Sequence, residues 1–417
     1  MKNYLQWCSI IFILYTKIVP GLYSQGLSLD QAVKEALSHN PSLLQAYQKW
    51  QTVKARFWIN ISPDYPIIFT EMEGIPEHSS SFKQSEVKKS GISQEFEFPT
   101  TYFFKGQRSR YLQEKEKAHY QQMCNEIAAQ VKIVYYNYQL LKHQQDLYKK
   151  ILSLTKESFE KARIRVIAGE TTSYDTLKLR VDVTEAENQV IKIQNQKKIV
   201  LAELNQLLGR EIHSPVMLYG ELRYLPLKTD LDSLRRGALV YHPKLNSVRE
   251  EISMEKAEKN LAWSELLPKI HFRYFKQKYG SNLTQNAWGG EVGLSLPIWS
   301  FLKGQGEICA ANNSLNAVRA KEFSVKQTIQ VEVDRAIANL KIAEKKVLSF
   351  QKNTLNQVEE LVRITTRSYE EGEMGYLQLS DALKTMHRIK AEYYDSIYQY
   401  LKARAELFLA AGIPPEL

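Results

Sequence analysis

Two periodicities alternate along this chain. From Ile127 onward, apolar and small side chains recur at steps of four and three: Ile127, Val131, Val134, Tyr138, Leu141, Gln145, Tyr148, Leu152, Thr155, Phe159, Ala162 and Val166. This 3.5-residue stripe predicts a long helix packed in coiled-coil fashion. The same stripe returns 202 residues later, through Ile329, Val333, Ala336, Leu340, Ala343, Val347, Phe350, Thr354, Gln357, Leu361, Ile364 and Ser368. A helix over residues 105–168 would span roughly 95 Å at about 1.5 Å per residue, so the molecule must be elongated.

Before each long helix the period drops to two. Ile270, Phe272 and Tyr274 alternate with Lys269, His271 and Arg273, and Glu291–Leu296 alternates again ahead of Pro297. In the first half Ile92, Phe96 and Phe98 oppose Ser93, Glu95 and Glu97, with Gln94 interrupting the apolar side; Pro66 to Glu73 is less regular. The pattern predicts four strands with Phe96, Phe98, Ile270, Phe272, Tyr274, Val292, Leu294 and Leu296 on the apolar faces. From the strands alone, two readings stand level. They cross a membrane, apolar side to lipid, or they form soluble amphipathic hairpins packed on helices. Tyr65, Tyr102, Phe103, Tyr279, Trp288 and Trp299 cluster near strand ends, where interfacial aromatics belong. Four strands cannot enclose a lumen, and an open sheet edge is excluded from lipid, so the membrane reading requires several chains to share one barrel.

The chain is a duplication. Ala36-Leu37-Ser38-His39-Asn40-Pro41 recurs as Ala238-Leu239-Val240-Tyr241-His242-Pro243, 202 residues on. Phe98-Pro99 with Lys105-Gly106-Gln107 recurs as Leu296-Pro297 with Lys303-Gly304-Gln305 at an offset of 198, and Leu207-Leu208-Gly209 as Ala410-Ala411-Gly412 at 203. The expected layout is a signal segment at 1–24, a first-repeat helix at 25–64, a transmembrane β-hairpin at 65–104, and a long helix, tip turn and return helix at 105–210. A linker follows at 211–229, then the second-repeat helix at 230–267, its β-hairpin at 268–302, its long helix, turn and return at 303–412, and a tail at 413–417.

Composition agrees with long helices: glycine and proline number only 18 and 13 and sit in clusters. The net charge of +10 is carried by interleaved charges of both signs, which reads as solvated helix faces; an anionic partner is the other reading. Lys2 followed by the apolar Leu5–Tyr15 reads as a secretory signal with cleavage before Gln25, an uncleaved anchor being the alternative. Cys124 and Cys309 then remain, at unequal depths in two helices, where export makes a bridge chemically possible. Catalysis finds no support. The 8 histidines are scattered without metal-ligand spacing, and Gly304-Gln305-Gly306 lacks the third glycine of a dinucleotide loop. No metal or other cofactor is expected. His39 and His242, beside their prolines, read as turn or cap residues, and Asn282-Leu283-Thr284 as an idle sequon. Gly169 and Gly372 each end a long helix and suit a chain reversal.

The duplication, the Leu27-Ser28-Leu29-Asp30-Gln31-Ala32 start with Asn40-Pro41, the paired strand blocks and the turns around Gly169 and Gly372 together resemble the TolC-like outer-membrane efflux proteins, over nearly all of the mature length. The resemblance implies a mainly α fold with a small β part. Duplicated helical hairpins would form a periplasmic α-barrel, and four strands per protomer would enter a twelve-stranded transmembrane β-barrel of a homotrimer. It implies an outer-membrane location, most of the mass in the periplasm, and a passive conduit rather than an enzyme. The implied partners are a periplasmic adaptor (membrane fusion) protein, an inner-membrane efflux pump and outer-membrane lipid, with no nucleic acid. Gln94-Glu95-Phe96-Glu97-Phe98-Pro99 is similar to the heavy-metal efflux branch. It further implies adaptor-facing tips at Gly169, Glu170, Thr171, Gly372, Glu373 and Met374, and a pore gate at Asp175, Tyr369 and Asp381. The sequence departs from the family gate at Gln378, where an acid is expected, and at Met374, where a base is. The competing reading is a soluble periplasmic coiled-coil adaptor or scaffold; one hairpin flanked by β domains would mark an adaptor, whereas here two hairpins interrupt a duplicated frame.

Overall fold

The computed structural model describes residues 26–77, 84–169, 173–279, 284–296, 298, 300–371 and 373–414; the expected signal segment lies outside them. Each repeat opens with two short helices set by capping side chains. Before α1 (Leu29–His39), Ser28 Oγ accepts from the Gln31 N–H and Gln31 Oε1 accepts from the Ser28 N–H, a reciprocal capping box. Asn40 Oδ1 accepts from the Ser42 and Leu43 N–H groups and starts α2 (Pro41–Ile61), with proline at its first position. In repeat 2, Asp230 caps α5 (Leu231–Tyr241) and His242 Nδ1 accepts from the Lys244 N–H to cap α6 (Pro243–Ser264). The true equivalence is therefore Asn40 with His242. His39 is instead the last residue of α1, its Nδ1 3.2 Å from the Glu35 carbonyl oxygen.

The strands β1 (Ile67–Glu73), β2 (Val87–Phe96), β3 (Lys269–Tyr279) and β4 (Gln285–Ser295) form one antiparallel sheet in sequence order. β2 and β3 bring the two repeats together, and β1 and β4 are its edges. α3 (Pro99–Ile167) runs for 69 residues, roughly 100 Å at about 1.5 Å per residue, and begins six residues before the predicted 105 because Pro99 suits the first helical position. Phe98, expected in a strand, is instead the N-cap of α3, and Leu296 lies just past the end of β4. α3 packs against α2, α4 (Ser173–Leu208), α6 and α9 (Tyr376–Ala410). Gly106 permits a close approach, since a Cβ there would meet Ile61 at 3.4 Å.

The second long helix is not continuous. α7 (Ser300–Ser349) passes into a π turn (Phe350–Thr354) and then α8 (Leu355–Glu370). The sequence carries the reason: the stripes are offset by 202 up to Gln145 and Val347, but the turn glycines Gly169 and Gly372 by 203, so repeat 2 holds one extra residue between them. A π turn is how a helix absorbs one inserted residue. Up to the turn the predicted stripe is buried, Ile329, Val333, Ala336, Leu340, Ala343, Val347 and Phe350 alike. Beyond it the predicted positions fail: Leu361 and Ile364 are 45% and 52% exposed, while Val358 and Thr365, one residue past the predicted Gln357 and Ile364, are buried. The stripe moves by one residue, as the insertion requires.

Each repeat has its own core. One centres on Ala32, Leu43, Val131 and Leu204, the other on Leu245, Val333, Tyr400 and Leu407. Each return helix ends on a glycine of φ +70°, Gly209 and Gly412. A Cβ on Gly209 would lie 2.3 Å from the His39 carbonyl oxygen, and one on Gly412 2.8 Å from the His242 ring, so each repeat closes tightly on its own beginning. Asn40 Nδ2 donates to the Leu207 carbonyl at 2.8 Å across the first of these joints. The linker is packed rather than loose: Leu27 bridges to Leu218, and the Tyr135 hydroxyl donates to the Leu27 and Tyr219 carbonyls. Cys124, half-buried, and Cys309, exposed, are both free.

Candidate functional site

Two regions hold the residues singled out in the sequence: the sheet and the far ends of the helical hairpins. The register decides the faces of the sheet. Phe96, Ile270 and Leu294 align across three strands, as do Gln94, Phe272 and Val292, and Ile92, Tyr274 and Gly290. Phe96, Ile270, Phe272, Tyr274, Val292 and Leu294 therefore share one face with Ile68 and Ile92. That face is bare in the single chain: Ile68, Val292 and Leu294 are 85%, 70% and 64% exposed. The sequence missed Ile68, because β1 alternates poorly.

The opposite face carries the acids of the strands, each beside a base. Arg273 reaches Glu71 at 2.9 Å and Glu291 at 3.4 Å with its guanidinium 4.2 Å over the Phe69 ring. Lys269 pairs with Glu95 at 2.9 Å and Lys89 with Glu73 at 2.5 Å. In the middle, Phe275 lies between Gly91 and Gly289, where a Cβ would come within 2.6 Å of its atoms. Glycine on both sides makes room for the ring on this polar face. The segment Gln94–Pro99 has local work: Gln94 Nε2 donates to the Asp64 carbonyl at 2.8 Å, Phe96 meets Phe272 edge-on, and Glu97 pairs with Lys105 at 2.5 Å.

Where sheet meets helices, a cavity of about 450 Å³ is lined by Phe98, Thr101, Glu265, Leu296, Lys303 and Glu307, among others. Phe98 and Leu296, though outside the strands, meet here. Burial, and then the neighbouring Glu307, raises the Glu265 carboxyl above the usual carboxylate range. Among the described residues no cluster of His, Cys, Asp and Glu has the makings of a metal site, and no helix is long and apolar enough to cross a membrane.

At the hairpin ends, Gly169 has φ +77° with open space around it, and its N–H donates to the Val166 carbonyl. Glu170, Thr171 and Gly372 lie outside the described residues. In the second turn the Glu373 and Met374 N–H groups both donate to the Ser368 carbonyl, and Gln378 Oε1 accepts from the Gly375 N–H to start α9. Capping thus explains a polar side chain at 378 without a charge. Tyr369 is half-buried in the last turn of α8 and Asp381 is exposed in α9; Asp175 lies in the first turn of α4, its side chain outside the described atoms. Asp381 makes no ion pair among the described residues. One turn further on, Lys384 pairs with Asp182 of α4 at 2.5 Å, joining the two return helices.

The family described as outer membrane efflux protein matches residues 32–210 and 234–413. Among curated proteins, the alkaline protease secretion protein AprF of Pseudomonas aeruginosa is 23% identical over 287 residues, 67% of this chain and 58% of that protein. The cobalt-zinc-cadmium resistance protein CzcC of Cupriavidus metallidurans is 20% identical over 239 residues, 57% of this chain and 56% of that protein. The match thus spans less than two thirds of either relative. Among solved structures, the Campylobacter jejuni CmeC outer membrane channel superposes with a TM-score of 0.79 at 15% identity, covering 92% of this chain and 85% of that one. The outer-membrane channel OprN gives 0.76 at 16% identity, with 92% and 89% covered.

Proposed function

Because the chain belongs to the outer membrane efflux protein family, we propose that it is one subunit of a homotrimeric outer-membrane channel, a passive conduit in a tripartite efflux or secretion system. Three protomers contribute four strands each to a twelve-stranded barrel, and their helices continue as a periplasmic tunnel. The observation that carries this reading is the two-faced sheet. One face is apolar and bare, the other holds ion pairs, and both edges, β1 and β4, lack a partner strand among the described residues. A sheet in lipid has to close, because unsatisfied backbone groups there cost several kcal/mol each. The free edges call for copies of the same chain, with Phe96, Ile270, Phe272, Tyr274, Val292 and Leu294 toward lipid and the paired charges toward water.

In this arrangement the turns at Gly169 and Gly372–Met374 lie at the far end of the tunnel, where they meet a periplasmic adaptor protein coupled to an inner-membrane pump. Asp175, Tyr369 and Asp381 narrow the entrance there. Cargo selection belongs to the pump, since a conduit of mixed polar lining binds nothing tightly. The relatives are named for protease secretion and for cobalt, zinc and cadmium resistance, so conduits of this kind accompany cargoes of very different size. The soluble-adaptor reading lacks support: both halves of the chain match the channel family. The test is fractionation of cell envelopes followed by native mass spectrometry and planar-bilayer recording. A detergent-requiring outer-membrane trimer with single-channel conductance is expected; a soluble, non-conducting species would overturn the reading.

A further inference from the structure

On the face proposed to meet lipid, charge has one sign and one position. Among the described strand residues of that face, Lys88, Lys276 and Lys278 are the charged ones. Every strand acid, Glu71, Glu73, Glu95 and Glu291, lies on the other face, beside Lys89, Lys269 or Arg273. The three outward lysines have no acidic partner among the described residues; Glu86, just ahead of β2, packs its side chain against Gly74. Lys276 holds its Nζ 5.7 Å from the Trp288 ring, which stacks on Tyr274 at 5.5 Å.

The arrangement is unfavourable by itself. Lys88 and Lys278 are direct cross-strand partners, and like charges placed opposite one another destabilise a sheet. Lys276 sits one row below, so three cations share a small patch. Lys88 and Lys278 lie one residue from the strand ends farthest from the helices, Val87 and Tyr279. From Lys88 to Phe96 the strand covers roughly 26 Å at about 3.3 Å per residue, which a barrel tilt of about 40° turns into roughly 20 Å of height, most of the apolar band of about 25 Å in outer-membrane barrels. With the helices in the periplasm, the patch stands on the headgroup side of the outer leaflet, the Lys88–Lys278 row one step beyond the row of Lys276 and Trp288.

We infer that Lys88, Lys276 and Lys278 form a docking site for a lipid of the outer leaflet whose headgroup carries phosphate monoesters. An anion between Lys88 and Lys278 removes the like-charge penalty, and a phosphate offers several acceptor oxygens to ammonium donors. The acyl chains then lie along Phe272, Val292 and Leu294, which continue the same face toward the helices. The inference rests on the barrel reading given above.

The test uses purified trimers titrated with diphosphoryl lipid A and with its dephosphorylated form, read by native mass spectrometry. The triple variant Lys88→Gln, Lys276→Gln, Lys278→Gln is expected to bind the phosphorylated lipid on the order of a hundredfold more weakly, each lost charge near the surface weakening binding about fivefold. The triple arginine variant retains binding, and the wild type is expected to hold the dephosphorylated lipid as weakly as the glutamine variant holds the phosphorylated one. Equal binding of both lipids by the wild type, or equal affinity of wild type and glutamine variant, overturns the site. So does phosphatidylglycerol bound as well as lipid A, because that is a diester. Wild-type protein that fails to insert into vesicles would overturn the barrel reading and the site with it, whereas insertion with phosphate-independent binding overturns the site alone.

Discussion

His242 does in repeat 2 what Asn40 does in repeat 1, at a chemical cost Asn40 does not carry. It is 1% exposed, its Nδ1 accepts the Lys244 N–H, and burial, followed by the Lys244 charge, lowers its pKa from 6.5 to about 4. The folded state therefore holds the neutral ring. Its contribution is complete above the unfolded value of 6.5 and is lost as pH falls from there toward 4. The shift corresponds to roughly 3 kcal/mol per protomer. Melting of purified protein between pH 7 and pH 4 should show this loss, and His242→Asn should flatten the profile while keeping the cap. His242→Ala, which removes the cap at every pH, should cost about 1–2 kcal/mol at pH 7. A wild-type melting temperature that does not move between pH 6.5 and 4 would show that the ring is protonated in place.

Two elements invite tests of register. In the sheet, Phe272→Arg or Leu294→Arg places a cation on the bare apolar face and should cost about 2–4 kcal/mol at the midplane of a membrane, with lower trimer yield. Arginine at Ser295, on the opposite face, should be tolerated; equal tolerance at both would remove the lipid assignment. In the second long helix, deletion of Lys352 from the π turn should leave an uninterrupted α-helix like α3, with Val358 and Thr365 still buried and trimers still formed. Deletion of the exposed Lys341 should not be tolerated, because it puts Ala343, Val347 and Phe350 out of phase with α9. Protease resistance of the two deletion proteins separates these outcomes. The sequence made most of this frame legible. Repeats, long helices and the apolar faces of β3 and β4 follow from periodicity, which burial enforces directly. It misplaced Leu361 and Ile364 because a straight 202 offset was carried across an insertion whose sign is the 203 offset at Gly372 and Gly412. It put Phe98 in a strand because alternation continues past the hydrogen-bonded ladder, where Pro99 starts a helix instead. The Lys384–Asp182 pair escaped notice because a charge on a solvated helix carries no periodic signature.

At the scale of the whole molecule, the two return helices are tied by Lys384 and Asp182, one turn from the exposed Asp381. If the entrance is narrowed there, Asp175→Ala with Asp381→Ala should raise single-channel conductance and weaken cation preference in planar bilayers, since a ring of carboxylates is removed. Unchanged conductance and selectivity in that double variant would make both ordinary solvated side chains. Lys384→Asp, which sets two acids against each other, should open the tip further, and adding Asp182→Lys should reverse the effect. The joints midway along the long helices, where Asn125 of α3 donates to the Gly412 carbonyl, have a different consequence. Gly209 seats against His39, and Gly412 against His242, so each repeat ends where it started. The polypeptide is in effect two closed rings joined by the 211–229 stretch, and the proposed threefold assembly would have the outline of six half-length units around one axis. Severing that stretch should let two separately translated halves find one another, and an ancestor of half this length could have built the same tube from six identical chains.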